Sequence, residues 1–243
     1  MKTLTVLVLA IIAACFVWVL ILYRYSQTGT GHPGTHVRTP ADEVHGIDLS
    51  HYSGRVDFEA LRAQGYEFVF LRSSMGIDGV DRNFYGSMHA ARRAGFKTGV
   101  YHFFRFGESG AEQAKHFLSV IGSHSPELPL VLDVEEAGIN ASVHAATSEV
   151  VQEVKAFLDY LKRRGHERPI VYSNRKGYWK YLHGHTQDCH VWIAAPEGLP
   201  PMLGADWTFW QYRLDTRLHG VEGNVDCNRF NGGRQEWEAF LQR

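Results

Sequence analysis

The chain has 243 residues, 44% hydrophobic content and a formal net charge of −1 at pH 7. That balance supplies a large core and excludes a broad electrostatic affinity for nucleic acid or anionic membranes. Six Trp, eleven Tyr and fourteen Phe suit core packing first and stacking on sugar rings second, and composition does not separate the two.

From Leu4 to Leu22 the chain is almost wholly apolar, between Lys2 and Arg24. A run of about 19 such residues is long enough to span a bilayer as a helix and longer than most signal-peptide cores. Residues 1–25 therefore read as an uncleaved transmembrane signal anchor with Lys2 kept in the cytoplasm. The expected location is the cell membrane, single-pass, with the remainder facing the periplasm or cell exterior. Ile12-Ala13-Ala14-Cys15 competes with this reading, because small residues before a Cys suit lipoprotein processing. The apolar run continues through Phe16 to Tyr23, where a mature lipoprotein would turn polar, and this favours the anchor. Residues 26–44, rich in Gly, Thr, Pro and His, read as a flexible linker. The folded domain is expected over residues 45–243.

Within that domain the strand candidates are Gly46–Leu49, Phe68–Ser73, Thr98–Phe104, Leu128–Glu135, Pro169–Ser173, Val191–Ala194, Thr208–Tyr212 and Asn224–Asp226. Helical stretches separate the first five: Asp57–Gln64, Asn83–Ala94, Glu112–Ile121 and Ser148–Arg164, each followed by a Gly where a left-handed cap belongs. This alternation implies parallel strands and an α/β architecture. After Ser173 aromatic-rich strands follow one another, with at most a short helix near Tyr178–Leu182. A complete (β/α)₈ barrel typically takes about 250 residues, so the pattern predicts a barrel with an incomplete outer ring.

LPLVLDVEE, Leu128–Glu136, carries the strongest chemical signal. Side chains alternate along a strand, so Asp133 and Glu135 share one face and Val134 the other. Two carboxylates at the end of an apolar strand are costly unless something uses them, and general acid chemistry on a sugar is such a use. In a parallel barrel, chemistry gathers at the carboxyl ends of the strands. Asp48 ends the first strand and Asp226 the last, so both are candidates for the same mouth. Either also has a plain structural reading: Asp48 as a turn cap before Ser50, Asp226 as a support for Asn228 and the closing loop. Glu136 should point away from Glu135, towards solvent or a loop. No nucleophile motif accompanies His51 or His102, which read as loop surface and as a packed or supporting residue. Cys189 and Cys227 do not make a disulfide framework, and whether they pair stays open. No His/Cys cluster suggests zinc, and no metal or other cofactor is expected.

Seven segments in order resemble glycoside hydrolase family 25, the Chalaropsis-type muramidases. They are GIDLSHYSGRVDFEALRAQGYEFVFLR, DRNFYGSMHAARRAGFKTGVYHFF, LPLVLDVEE, PIVYSN, VWIAAP, WTFWQY and VDCNRFNG, with the Asp-x-Glu pair in the third. The resemblance implies an α/β fold, a modified TIM-like barrel with eight strands and about five helices, in agreement with the helix count. It also implies cleavage of the β-1,4 bond between N-acetylmuramic acid and N-acetylglucosamine, with peptidoglycan glycan strands as partner; the membrane is expected as a partner through the N-terminal apolar run. By position Glu135 matches the family's general acid, Asp133 its assistant, and Asp48 and Asp226 the acids at the floor. Tyr101, Tyr172, Trp192, Trp210 and Gln211 match positions around the saccharide, each with core packing as its competing role. One departure stands out: Ser73-Ser74-Met75-Gly76 replaces the family's Thr-Glu-Gly turn, so Met75 takes the place of an acid at the rim. A non-catalytic peptidoglycan-binding module on the same fold, and a Mg²⁺ or Ca²⁺ site built from the acids, are the alternative readings.

Overall fold

The computed structural model describes residues 42–198 and 207–242. The expected anchor, Cys15 and most of the linker lie outside the described residues. Among the described residues no helix is long and apolar enough to cross a membrane.

The described residues form nine strands: β1 His45–Leu49, β2 Tyr66–Met75, β3 Gly79–Val80, β4 Lys97–Phe103, β5 Val131–Asp133, β6 Ile170–Asn174, β7 His190–Ala194, β8 Phe209–Thr216 and β9 Val225–Phe230. They run in the order β1-β9-β8-β7-β6-β5-β4-β2, and a parallel pairing of β1 with β2 closes an eight-stranded barrel. β3 is only a short antiparallel arm on β2. Every neighbouring pair in the barrel is parallel except those of β9, which runs antiparallel to both β8 and β1. The α-helices among the described residues are α1 Phe58–Ala63, α2 Phe84–Arg93, α3 Gly110–Ile121, α4 Thr147–Arg163, the single turn α5 Arg175–Gly177 and α6 Arg234–Leu241. α5 continues into a π-helical turn, Tyr178–Leu182.

Local chemistry explains the boundaries. Asp57 accepts the Ala60 N–H at 3.0 Å and starts α1, and Ser109 does the same for Glu112 at the start of α3. α4 is stopped by Gly165 at φ 89° and α2 by Gly95 at φ 81°, backbone that a side chain would strain. α6 is the element that the sequence pattern did not reveal. Glu236 accepts the Gly233 N–H at 2.9 Å at its start, and Trp237 and Phe240 bury its inner face.

Two apolar layers result. Outward strand residues such as Ile47, Val69, Leu71, Leu132, Val134 and Ile193 pack against the helices. Inward residues, among them Phe68, Phe70, Val131, Tyr172, Trp192 and Phe209, fill the barrel, and Trp237 and Phe240 of α6 join them. Gly46 and Gly99 make room for this filling: a Cβ on either would lie 2.3 Å from the ring of Phe68 or Phe70 respectively. One step further along β1, β5 and β9 the inward positions change from apolar to acidic.

Candidate active site

Strand parity brings the acids together. Asp48, Asp133, Glu135 and Asp226 all line one open cavity of about 340 Å³ at the carboxyl end of the barrel. β5 is shorter than expected, Val131–Asp133 in place of Leu128–Glu135. Pro129 precludes a ladder donor at its start, and past Asp133 the chain turns towards the Gly138–Ser142 helical turn. Glu135 therefore sits just beyond the strand, yet Val134 still donates to Tyr172 O at 2.9 Å and faces outward, which keeps Glu135 on the inner side with Asp133.

Each acid has its own environment. Asp48 accepts from Gln211 Nε2 at 2.8 Å and Asn228 Nδ2 at 2.7 Å. It is no turn cap; the Ser50 side chain caps the following turn itself. Asp226 accepts the Asp215 N–H at 2.8 Å, and Gln211 Nε2 lies 3.3 Å from its other oxygen. Asp133 is buried, and its Oδ1 has no hydrogen-bond partner in the protein. Burial, then the charges of Glu135 and Asp48, push Asp133 well above the usual carboxylate range, with Arg72 opposing. Asp48 is likewise pushed well up by burial and by Asp226, against the pull of its amide donors. Asp226 is raised by burial. Glu135 is raised to about 7, by burial first and by Asp226 second. Such a cluster holds shared protons near neutral pH, which is what a general acid needs.

The aromatic and amide residues divide. Tyr101, Tyr172, Trp192 and Gln211 line the cavity. Three of them also hold the acids: Tyr172 donates to Gln211 Oε1 at 2.8 Å, and Trp192 Nε1 donates to Asn228 Oδ1 at 2.8 Å, so both amides present their N–H groups to Asp48. Trp210 is not among the lining residues. It lies between the inward Phe209 and Gln211 on β8, so parity turns it outward, where its Nε1 donates to Ala195 O at 3.0 Å and Arg229 covers its ring at 5.0 Å. His102 is buried between Ser74 Oγ at 2.8 Å and Gln113 Oε1 at 3.2 Å, away from the acids. Cys189 and Cys227 are both buried free thiols. Among the described residues no group of three or more His, Cys, Asp or Glu is arranged to hold a metal ion.

A profile of glycosyl hydrolases family 25 matches residues 47–221, which includes Asp48, Asp133 and Glu135 and ends just before Asp226. The chain belongs to that family. It is similar to the lysozyme M1 of Streptomyces globisporus, 31% identical over 86% of this chain and 76% of the relative. The uncharacterised YegX of Escherichia coli K12 is also 31% identical, over 84% of this chain and 76% of its own length. A solved family 25 glycosyl hydrolase from Bacillus anthracis superposes with a TM-score of 0.75 at 26% identity, covering 87% of this chain and 99% of that one. As a family 25 member the chain is a glycoside hydrolase of the lysozyme type.

The family 25 cavity also contains residues that the sequence reading missed. Arg72 and Tyr52 line it, with the Arg72 guanidinium 5.2 Å over the Tyr52 ring. Arg72 Nε donates to Asp81 Oδ2 at 3.0 Å, and its Nη2 lies 2.6 Å from His51 Nδ1. Burial pushes Asp81 up, but the His51 and Asn83 N–H groups, the His51 ring and the charge of Arg72 together hold it below its ordinary value. His51 is thus tied into this group and is not loose loop surface. Arg72 had a signal in the sequence: it follows the inward Phe68 and Phe70 at the same parity. Asp81 had none, because only the β2–β3 hairpin brings it there. Met75 lines the cavity together with Arg72.

Proposed function

We propose that this barrel mouth hydrolyses the β-1,4 bond between N-acetylmuramic acid and N-acetylglucosamine in peptidoglycan, with Glu135 as general acid. The observation that carries the reading is the pairing on one face of Glu135, raised to about 7, with Asp133, whose buried Oδ1 lacks a donor. Protonated Glu135 gives its proton to the leaving glycosidic oxygen as the bond to the anomeric carbon breaks. Asp133 Oδ1 accepts from a donor that only substrate or solvent can bring, the N–H of an acetamido group or an attacking water. Asp48 and Asp226, oriented by Gln211, Asn228 and the Asp215 N–H, face the positive charge that develops in the oxocarbenium-like transition state. Tyr101 and Trp192 supply ring surface at the cavity wall.

The lysozymes among the relatives support peptidoglycan as the substrate. The apolar run Leu4–Leu22 supports a further part of the proposal: a membrane anchor that holds the barrel outside the membrane, within reach of the wall. Release of reducing ends from purified peptidoglycan tests the catalytic reading. The wild-type chain is expected to release them, and Glu135→Gln is expected to lose this activity by three or more orders of magnitude, about what removal of an essential proton donor costs. Equal activity in the two proteins would refute the assignment.

A further inference from the structure

We propose that Glu136 is a positioning residue for Glu135: clamped by Lys176, Lys180 and Tyr181, it fixes the turn that carries the proton donor. The proposal rests on Glu135 being the general acid. The residue next to an essential acid would ordinarily be free to vary, and by parity Glu136 points out of the cavity. Its carboxylate nevertheless has three donors. Tyr181 Oη donates to Oε1 at 2.6 Å, Lys176 Nζ to Oε2 at 2.8 Å, and Lys180 Nζ also donates to Oε1. Together these donors hold the Glu136 carboxyl down to about 2.

All three donors come from the segment that follows β6, and the chain is built to bring that segment close. A Cβ on Gly177 would lie 2.2 Å from Ser173 Oγ, so glycine lets α5 fold back closely on the end of β6, next to Val134 O. The π-helical turn then places Lys180 and the buried Tyr181 on the side of Glu136. The backbone on either side is pinned as well. Ser173 Oγ donates to Val134 O at 2.6 Å, and Asn140 Nδ2 donates to Glu135 O at 3.0 Å. From Val134 to Glu136 each residue is held from outside the cavity, which leaves the Glu135 side chain to the substrate.

The clamp also limits the positive charge behind Glu135. Glu135 faces Asp133 of β5, Asp48 of β1, Asp226 of β9 and Tyr172 of β6. Lys176, Lys180 and Tyr181 lie on the far side of the turn, and the Glu136 charge offsets one of the two cations. Glu136→Gln weakens the clamp and leaves both lysines uncompensated, and uncompensated cations favour ionised Glu135.

Steady-state kinetics on soluble glycan strands at low ionic strength test this, with circular dichroism to show that each variant is folded. Glu136→Gln is expected to lower kcat about five- to tenfold with KM within about twofold, the cost of misaiming a reacting group. Its basic limb is expected to move to lower pH. Adding Lys176→Met to Glu136→Gln, which restores the wild-type net charge of the clamp, is expected to return the limb towards its wild-type position without restoring kcat, because the clamp is still missing. Tyr181→Phe, which changes no charge, should lower kcat with the limb unmoved. Wild-type kcat and limb in Glu136→Gln, beside an inactive Glu135→Gln, would overturn the positioning role alone. An active Glu135→Gln would overturn it together with the general-acid reading.

Discussion

Glu135 carries a cost that follows from the same burial that suits it to donate a proton. Its carboxyl is raised from 4.5 to about 7 in the folded chain, so between those values the folded state binds more protons than the unfolded state. Stability therefore falls as pH rises through this window and levels off above about 7. Glu135→Gln removes the penalty. The variant is expected to melt higher than wild type at pH 8, by about 1–3 kcal/mol in stability, and to match it near pH 4. Thermal melts at the two pH values check this, and a variant less stable at pH 8 would show that Glu135 is held as a structural carboxylate. Activity has the matching sign: the acid is protonated below about 7, so kcat should decline as pH rises past that point. Reading strands by parity found Asp133 and Glu135 from sequence, and their places at strand ends made Asp48 and Asp226 candidates. The same parity, carried through β8, would have excluded Trp210, which shares no face with Gln211. Asn228 was equally reachable, two residues after Asp226 on the inward side, whereas Asp81 and the clamp on Glu136 depend on contacts across the fold that no local pattern encodes.

At the scale of elements, the β8–β9 hairpin does more than close the barrel. Its pairing register slips between Gln211 and Arg213 and again between Arg213 and Thr216, and at this irregularity Asp215 adopts φ 51°. That left-handed backbone aims the Asp215 N–H at Asp226. Asp215→Gly keeps the N–H and relieves the backbone, so it is expected to be neutral or mildly stabilising, with activity retained. Asp215→Val puts a branched side chain at positive φ and should cost about 1–2 kcal/mol. Chemical denaturation of the two variants separates these outcomes, and equal stability would mean that the bulge carries no strain. The strand ends were hard to predict here because bulges obey no period, while the helices from α1 to α4 were legible from their caps and terminal glycines. α6 escaped notice because its apolar residues, Trp237 and Phe240, are few and its start is a Gly with no capping side chain of its own.

The molecule as a whole packs aromatic rings below and acids above within one barrel. Gly99 shows how little slack that arrangement has. Gly99→Ala would set a Cβ 2.3 Å from the Phe70 ring, and Phe70 stacks on Trp192 at 4.5 Å, so the displacement would reach a residue that orients Asn228. A loss of about 1–3 kcal/mol is expected from overpacking, with reduced activity in the fraction that stays folded. Denaturation curves check the first part and assays at a fixed folded fraction the second. The barrel class was visible in the sequence because βα alternation repeats over most of the domain. The antiparallel course of β9 was not, since a lone short strand after the last helix-free stretch has no orientation signal. The central claim is that this mouth cleaves glycan strands on the muramic acid side with Glu135 as acid. Mass spectrometry of the fragments released from purified peptidoglycan tests it most directly. N-acetylmuramic acid at every new reducing end, absent with Glu135→Gln, is the predicted result; N-acetylglucosamine at the reducing ends, or the same fragments from both proteins, would contradict it.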